Sequence, residues 1–214
     1  MTKTRKIILL NAVFIMVTLA SNVMAIKMTT IGSISFPAGV YAFPISFLVT
    51  DVINEVWGKK EAGFTIKLGF AASAAFTLFT TLAIWLPAAD FWTMQPEYAA
   101  VLAAVPRITI AGLVAFVFSQ NTDLWIFDKL KKFHGGKHLW IRNNVSTITA
   151  QLVDSLIFIT IAFYGTMPIA ALFATVFSQW AVKLVLAALD TPFVYWGVKW
   201  AEKGEEKNVV QTRN

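Results

Sequence analysis

The stretch DSLIFITIAFYGTMPIAALFATVFSQWAVK, residues 154–183, decides the class of this chain. Its ends are Asp154 and Lys183, and no Asp, Glu, Lys or Arg lies between them. Gly165-Thr166-Met167-Pro168 at its centre reads as a tight turn. The stretch is therefore read as the facing parts of two helices in an antiparallel hairpin. Apolar sequence continues beyond both charges, so Asp154 and Lys183 are expected at bilayer depth. A charge there costs at least ~2.5–3.5 kcal/mol even on the lenient insertion scale, and is kept where it faces a bundle interior or an aqueous cavity. Asp51, Glu55, Asp123 and Asp190 add to the same pattern.

Composition agrees with a membrane protein. The chain is 57% hydrophobic and 14% charged, against roughly 25% charged in soluble domains. Its 18 Phe and 8 Trp suit lipid-facing surfaces and interfacial belts. The 214 residues leave room for six spans and no soluble domain of ordinary size. The absence of cysteine excludes disulfides and thiolate-held metals. A net charge of +6 raises the question of nucleic acid. No basic-aromatic module accompanies it, so the charge reads as loop bias and nucleic acid is not an expected partner. The sequence holds no nucleotide-binding P-loop, G-x-S-x-G or H-E-x-x-H, which argues against an enzyme. His134 and His138 flank Gly135-Gly136 in a basic loop without a third ligand, so no metal or other cofactor is expected.

The spans are expected at about residues 7–26, 36–57, 62–86, 105–130, 142–164 and 168–200, with a tail at 201–214, in one integral membrane domain. The first could be a signal peptide, since Val23-Met24-Ala25 resembles a cleavage site. The membrane spans that follow favour an uncleaved helix. Lys3, Arg5, Lys6, Lys59, Lys60, the block from Lys129 to Arg142 and the tail from Lys199 to Arg213 fall on one side. By the positive-inside bias both termini are cytoplasmic. The second span is unusual, because Gly32, Pro37, Gly39 and Pro44 interrupt it or its approach. It reads either as a broken helix covered by protein or as an outer loop leading into a proline-kinked helix. A weak internal echo links residues 111–120 with 170–179.

Helical spacing sorts the polar residues into stripes. Asp51, Asn54 and Glu55 share a face of the second span, and Gln120 and Asp123 are neighbours on the fourth. Asn143, Thr147, Gln151 and Asp154 share a face of the fifth, and Gln179, Lys183 and Asp190 a face of the sixth. The simplest packing turns all four stripes toward one cavity. At ~1.5 Å per residue, Gln151 and Asp154 lie roughly 12–18 Å in from Asn143, and Lys183 about 22 Å in from Pro168. Asp154 and Lys183 then either pair with each other or face a ligand. Arg107, off the Gln120 stripe, either guards the outer mouth or snorkels to the interface. Asp190, before Thr191-Pro192, is placed as a lid near the inner end.

Four of these segments carry a family resemblance. FPISFLVTDVINEVWG (43–58) resembles the hallmark segment of the queuosine precursor transporter family, related to the vitamin uptake transporters. PRI (106–108) with FSQNTDLWIFDKL (118–130) is similar to its fourth helix. LWIRNNVST (139–147) with Gln151 and Asp154 is similar to its fifth, and Lys183 with LDTPFVY (189–195) to its sixth. The resemblance spans about residues 36–200. It implies an all-α, six-helix membrane fold akin to the substrate-binding subunits of energy-coupling-factor transporters. It also implies an inner-membrane importer of the 7-deazaguanines preQ0 and preQ1 for tRNA queuosine salvage. Glu55 departs from the family pattern, where some relatives carry a basic residue.

Such a ligand offers N–H and amino donors beside a carbonyl acceptor. Carboxylates accept such donors, and amides or Lys donate to the carbonyl. The expected substrate-binding residues are Asp51, Asn54, Gln120, Asp123, Asn143, Gln151, Asp154, Gln179 and Lys183, with Glu55, Arg107 and Asp190 around them. Trp125 or Phe158 would stack on the ring. The alternatives are a capture subunit for another vitamin-like molecule that needs an energising partner, and a membrane-embedded enzyme built on Asp51, Asp123 and Asp154. Homo-oligomerisation is left open.

Overall fold

Apolar runs set the helices. The computed structural model describes residues 1–133 and 139–203. The side chains at 43, 128, 131, 133, 139–143, 190 and 191 also lie outside the described set. The elements run α1 (Lys3–Met24), β1 (Met28–Ile31), β2 (Ile34–Pro37), a 3₁₀ turn (Ala38–Ala42), α2 (Phe43–Trp57), α3 (Lys59–Trp85), α4 (Gln95–Leu102), α5 (Val105–Phe133), α6 (Leu139–Phe163) and α7 (Ile169–Glu202). Among the described residues, six stretches are long and apolar enough to cross a membrane. Leu78, Phe79, Trp85 and Trp196 are exposed large apolar groups, as expected where lipid rather than water is the solvent. The chain is a multi-pass membrane protein.

The start of α1 meets the last turn of α7 at one end of the bundle. The ammonium of Lys6, itself buried, donates to the carbonyl oxygens of Trp200 at 2.8 Å, Ala201 at 2.9 Å and Lys203. The last carbonyls of a helix have no partner within it, and a cation there also opposes the negative end of the helix dipole. Lys6 thus closes α7 from α1. Arg107 does the same for α6 at the other end, donating from Nε to the Ile161 carbonyl at 2.6 Å and from Nη2 to that of Tyr164 at 2.5 Å. Arg107, expected as a mouth guard or an interfacial snorkel, thus makes a cap that the sequence did not announce.

The break before the second span contains structure that the helical pattern did not announce. Residues 28–37 form an antiparallel hairpin, with Met28 opposite Pro37 and Ile31 opposite Ile34. β-branched residues on either side of Gly32-Ser33 favour that pairing. The 3₁₀ turn follows, and then α2. Fifteen α-helical residues reach only about 22 Å, short of the ~30 Å hydrocarbon core. The 3₁₀ turn extends the spanning segment back to Ala38. Its backbone lies flush against α1: a Cβ at Gly39 would sit 2.6 Å from the Ser21 carbonyl oxygen and 2.9 Å from the Ala25 Cβ. Ser21 Oγ donates to the Gly39 carbonyl at 3.1 Å. Gly39→Ala is therefore expected to cost about 1–3 kcal/mol through forced separation of backbones. A lower midpoint in detergent thermal unfolding would register it, whereas an unchanged midpoint would mean the contact yields freely. Gly58, at φ +89°, turns α2 into α3. There the backbone conformation alone calls for glycine, since nothing lies within 4 Å of a Cβ.

Candidate functional site

A cavity of about 600 Å³ runs between the helices. Every membrane-spanning element contributes to it. α1 supplies Val17, Ser21 and Asn22; α2 Asp51 and Asn54; α3 Phe70 and Ser73; α5 Thr109, Phe116 and Gln120; α6 Gln151, Asp154 and Phe158; and α7 Gln179. At one end, Ala25 and Ile108 belong both to its wall and to an apolar cluster with Ile159, Ala162, Phe163, Leu172 and Val176. That cluster draws α1, α5, α6 and α7 together near the β-hairpin. Toward the end where α1 begins, the lining includes Lys59, and the exposed Asp51 and Asn54.

Asp154 and Lys183 touch each other across the α6–α7 interface. The pair is asymmetric. The Lys183 side chain is 2% exposed and lies outside the cavity lining, whereas that of Asp154 is 17% exposed and lines it. The carboxylate thus has an ammonium on one side and the cavity on the other.

Beside it stand two amides. Gln179 is 1% exposed, and neither its Oε1 nor its Nε2 has a hydrogen-bond partner among the described residues. Gln151 Oε1 is also buried without one. An amide buried in this way costs about 1–3 kcal/mol, so three unsatisfied atoms on two cavity-lining glutamines ask for an explanation. Gln151 and Asp154 lie at i and i+3 on α6, and Gln179 and Lys183 at i and i+4 on α7. Each pair shares a helix face, which places the amides and the ion pair along one wall.

The remaining expected residues separate. Asp51, Asn54, Gln120 and Phe158 line the cavity; Asp123, Glu55, Arg107 and Trp125 are not among its lining residues. Asp123 Oδ1 is nevertheless buried without a partner among the described residues. Trp125 is 62% exposed, with the Lys129 ammonium 4.6 Å from its ring centroid. The side chains of Asn143 and Asp190 lie outside the described residues, as do His134 and His138. Aromatic walls come from Phe14, Phe47, Phe70, Phe116 and Phe158, and Phe70 and Phe116 meet edge to face at 5.0 Å.

Sequence reasoning missed the polar residues of α1, with Ser73 and Thr109. Single hydroxyls on apolar helices often bond back to their own turn, as Thr80 does to the Phe76 carbonyl at 2.9 Å. Ser73 and Thr109 carry no sequence mark that separates them from that behaviour.

Hydrogen-bonding side chains from six helices thus converge on one cavity between the spans. The family model described as "Putative vitamin uptake transporter" matches residues 37–197. The chain belongs to this family. A protein of Bacillus subtilis (strain 168) named "Probable queuosine precursor transporter" is 26% identical over 192 residues, covering 89% of this chain and 84% of the relative. One of the same name from Haemophilus influenzae is 27% identical over 175 residues, 76% of this chain and 72% of the relative. The "Queuosine precursor transporter" of Escherichia coli (strain K12) is 26% identical over 126 residues, 59% of this chain and 54% of the relative. No solved structure gives a significant match. The family match begins at Pro37, so α1 stands outside it while walling the cavity.

Proposed function

We propose that this protein imports queuosine precursors, the 7-deazaguanines preQ0 and preQ1, across the bacterial inner membrane, and that the cavity holds them. The observation that carries the reading is the unpartnered Gln179 amide beside the Asp154 carboxylate and Gln151. A deazaguanine edge presents an N–H and an amino group next to a carbonyl. The oxygens of Asp154 and Gln151 accept from the first two, and Gln179 Nε2 donates to the third. The flat ring packs in the apolar slot near Phe158, Phe70 and Phe116. Two of these bonds satisfy atoms, Gln151 Oε1 and Gln179 Nε2, that have no partner among the described residues, so ligand and site offset one another's desolvation.

Orientation follows from charge. Lys3, Arg5, Lys6, Lys59 and Lys60 lie toward the end of the bundle where α1 begins and α7 finishes, and the positive-inside bias supports a cytoplasmic location for that end. The apolar cluster around Ile108 and Ile159 then closes the outer end, and Lys59, Asn54 and Asp51 mark the route inward. The resulting six-span arrangement is the one expected of substrate-binding subunits of energy-coupling-factor transporters, and transport requires no catalytic residue.

The test is a cell that lacks deazaguanine synthesis but keeps tRNA insertion, supplied with nanomolar preQ0 or preQ1. Expression of this gene should restore queuosine in tRNA. Queuosine remaining at the level of the empty vector, with the protein present in the membrane, would sink the reading.

A further inference from the structure

A second polar cluster faces the cavity from a different wall. Asn22 Nδ2 donates to Ser73 Oγ and to Thr109 Oγ1, each at 3.4 Å, and Thr77 Oγ1 donates to Thr109 Oγ1 at 3.0 Å. Asn22, Ser73 and Thr109 all line the cavity, and Ser73 and Thr109 are buried at 3% and 5% exposure. The bonds fix the chemistry on offer. Both Asn22 amide hydrogens are committed, which leaves Oδ1 as an acceptor. Thr109 Oγ1 already accepts twice, so its remaining capacity is to donate its own hydrogen. Ser73 likewise keeps its O–H. The cluster thus presents one acceptor and two donors without a charge.

Its depth is read against the same apolar cluster as that of the amide wall. Asn22 lies three residues from Ala25, Gln179 three from Val176, Ser155 four from Ile159, and Thr109 adjoins Ile108. Ala25, Val176, Ile159 and Ile108 all belong to the apolar cluster that closes this end. Asn22 and Gln179 lie about one helical turn inward from members of that cluster and Asp154 about a turn and a half, while Thr109 lies between its members Ile108 and Ala111 and joins Asn22 and Ser73 on the cavity wall. A planar ligand held by one edge at Asp154 and Gln179 directs its other end toward Asn22.

We propose that Asn22, held in place by Ser73 and Thr109, is a specificity-determining residue that contacts the substituent on the five-membered ring of the ligand. The inference rests on the deazaguanine reading above. The cluster's mixed donor and acceptor set admits both a nitrile, through the hydroxyl donors, and an aminomethyl group, through Asn22 Oδ1. Asn22→Asp keeps the shape and adds a charge, which should favour the ammonium of preQ1. Asn22→Ala should remove the contact.

The experiment measures uptake of labelled preQ0, preQ1 and unsubstituted 7-deazaguanine by wild-type protein, Asn22→Asp and Asn22→Ala, each normalised to the amount in the membrane. The preQ1:preQ0 ratio should rise at least tenfold in Asn22→Asp. In Asn22→Ala, uptake of preQ1 should fall about tenfold and that of preQ0 less, while that of 7-deazaguanine stays within about twofold. Unchanged ratios in both variants, or equal losses for all three ligands, would overturn the assignment. Should a variant accumulate poorly, Ser73→Ala, which loosens Asn22, must shift the same ratio for the proposal to stand. Failure of the transport reading itself looks different, because wild-type protein would then take up none of the three.

Discussion

Asp154→Asn should abolish uptake, by about 100-fold or more, and should also lower the amount of folded protein. Lys183→Met should abolish uptake while leaving the folded protein nearly intact. The asymmetry comes from where each partner of the pair sits. Lys183 is 2% exposed, so replacing the carboxylate removes the opposing charge from a buried ammonium. Breaking a buried pair from one side costs about 3–5 kcal/mol, a large part of the stability of an ordinary domain. Asp154 is 17% exposed and faces the cavity, so it tolerates the loss of Lys183 better. The double variant Asp154→Asn/Lys183→Met should regain accumulation without regaining uptake. Membrane levels of a fluorescent fusion report accumulation, and labelled preQ1 reports transport. If Asp154→Asn accumulates and transports like wild type, the carboxylate neither supports the fold nor touches the ligand.

Gln179→Leu should separate stability from function in opposite directions. Leucine is shorter than glutamine but of comparable volume, and lacks the buried amide that now has no partner among the described residues. Removing an unsatisfied polar group should stabilise the protein by about 1–3 kcal/mol. The same change removes the donor proposed for the ligand carbonyl, and leaves that carbonyl desolvated. Loss of one such contact typically costs 10-fold to 100-fold in affinity, at 1.4 kcal/mol per decade. A core residue without a ligand role would show the first effect and not the second. A drop in both stability and uptake would instead mean that Gln179 supports the fold through contacts of its aliphatic stem.

Much of this arrangement was legible because hydrocarbon punishes exceptions. The charge-free run between Asp154 and Lys183 announced a hairpin of two spans, and α6 and α7 meet there with the two charges in contact. Period-3.6 spacing grouped Gln151 with Asp154, and antiparallel order brought Gln179 beside them. Three features escaped for physical reasons. The hairpin at 28–37 is too short to impose a period, and its Gly32 and Pro37 read equally well as breaks in a span. Arg107 reads as polar surface in sequence, because a cap on the α6 carbonyls depends on which helix end arrives beside it. Asn22 belongs to an α1 whose other residues read as lipid-facing, and its function depends on Ser73 and Thr109 from distant segments.

The central claim is that the cavity between the amide wall and Asn22 binds a planar deazaguanine through Gln151, Asp154 and Gln179. Ligand-induced thermal stabilisation of the purified protein in detergent tests it most directly. A ligand at 100 times its Kd stabilises the folded state by about 2.7 kcal/mol. PreQ0 or preQ1 should raise the melting temperature of wild-type protein, while guanosine and biotin do not. The same concentration should leave Gln179→Leu, with its higher starting temperature, almost unmoved. An equal shift in wild type and Gln179→Leu, or no shift in wild type at saturating preQ0 and preQ1, would contradict the account.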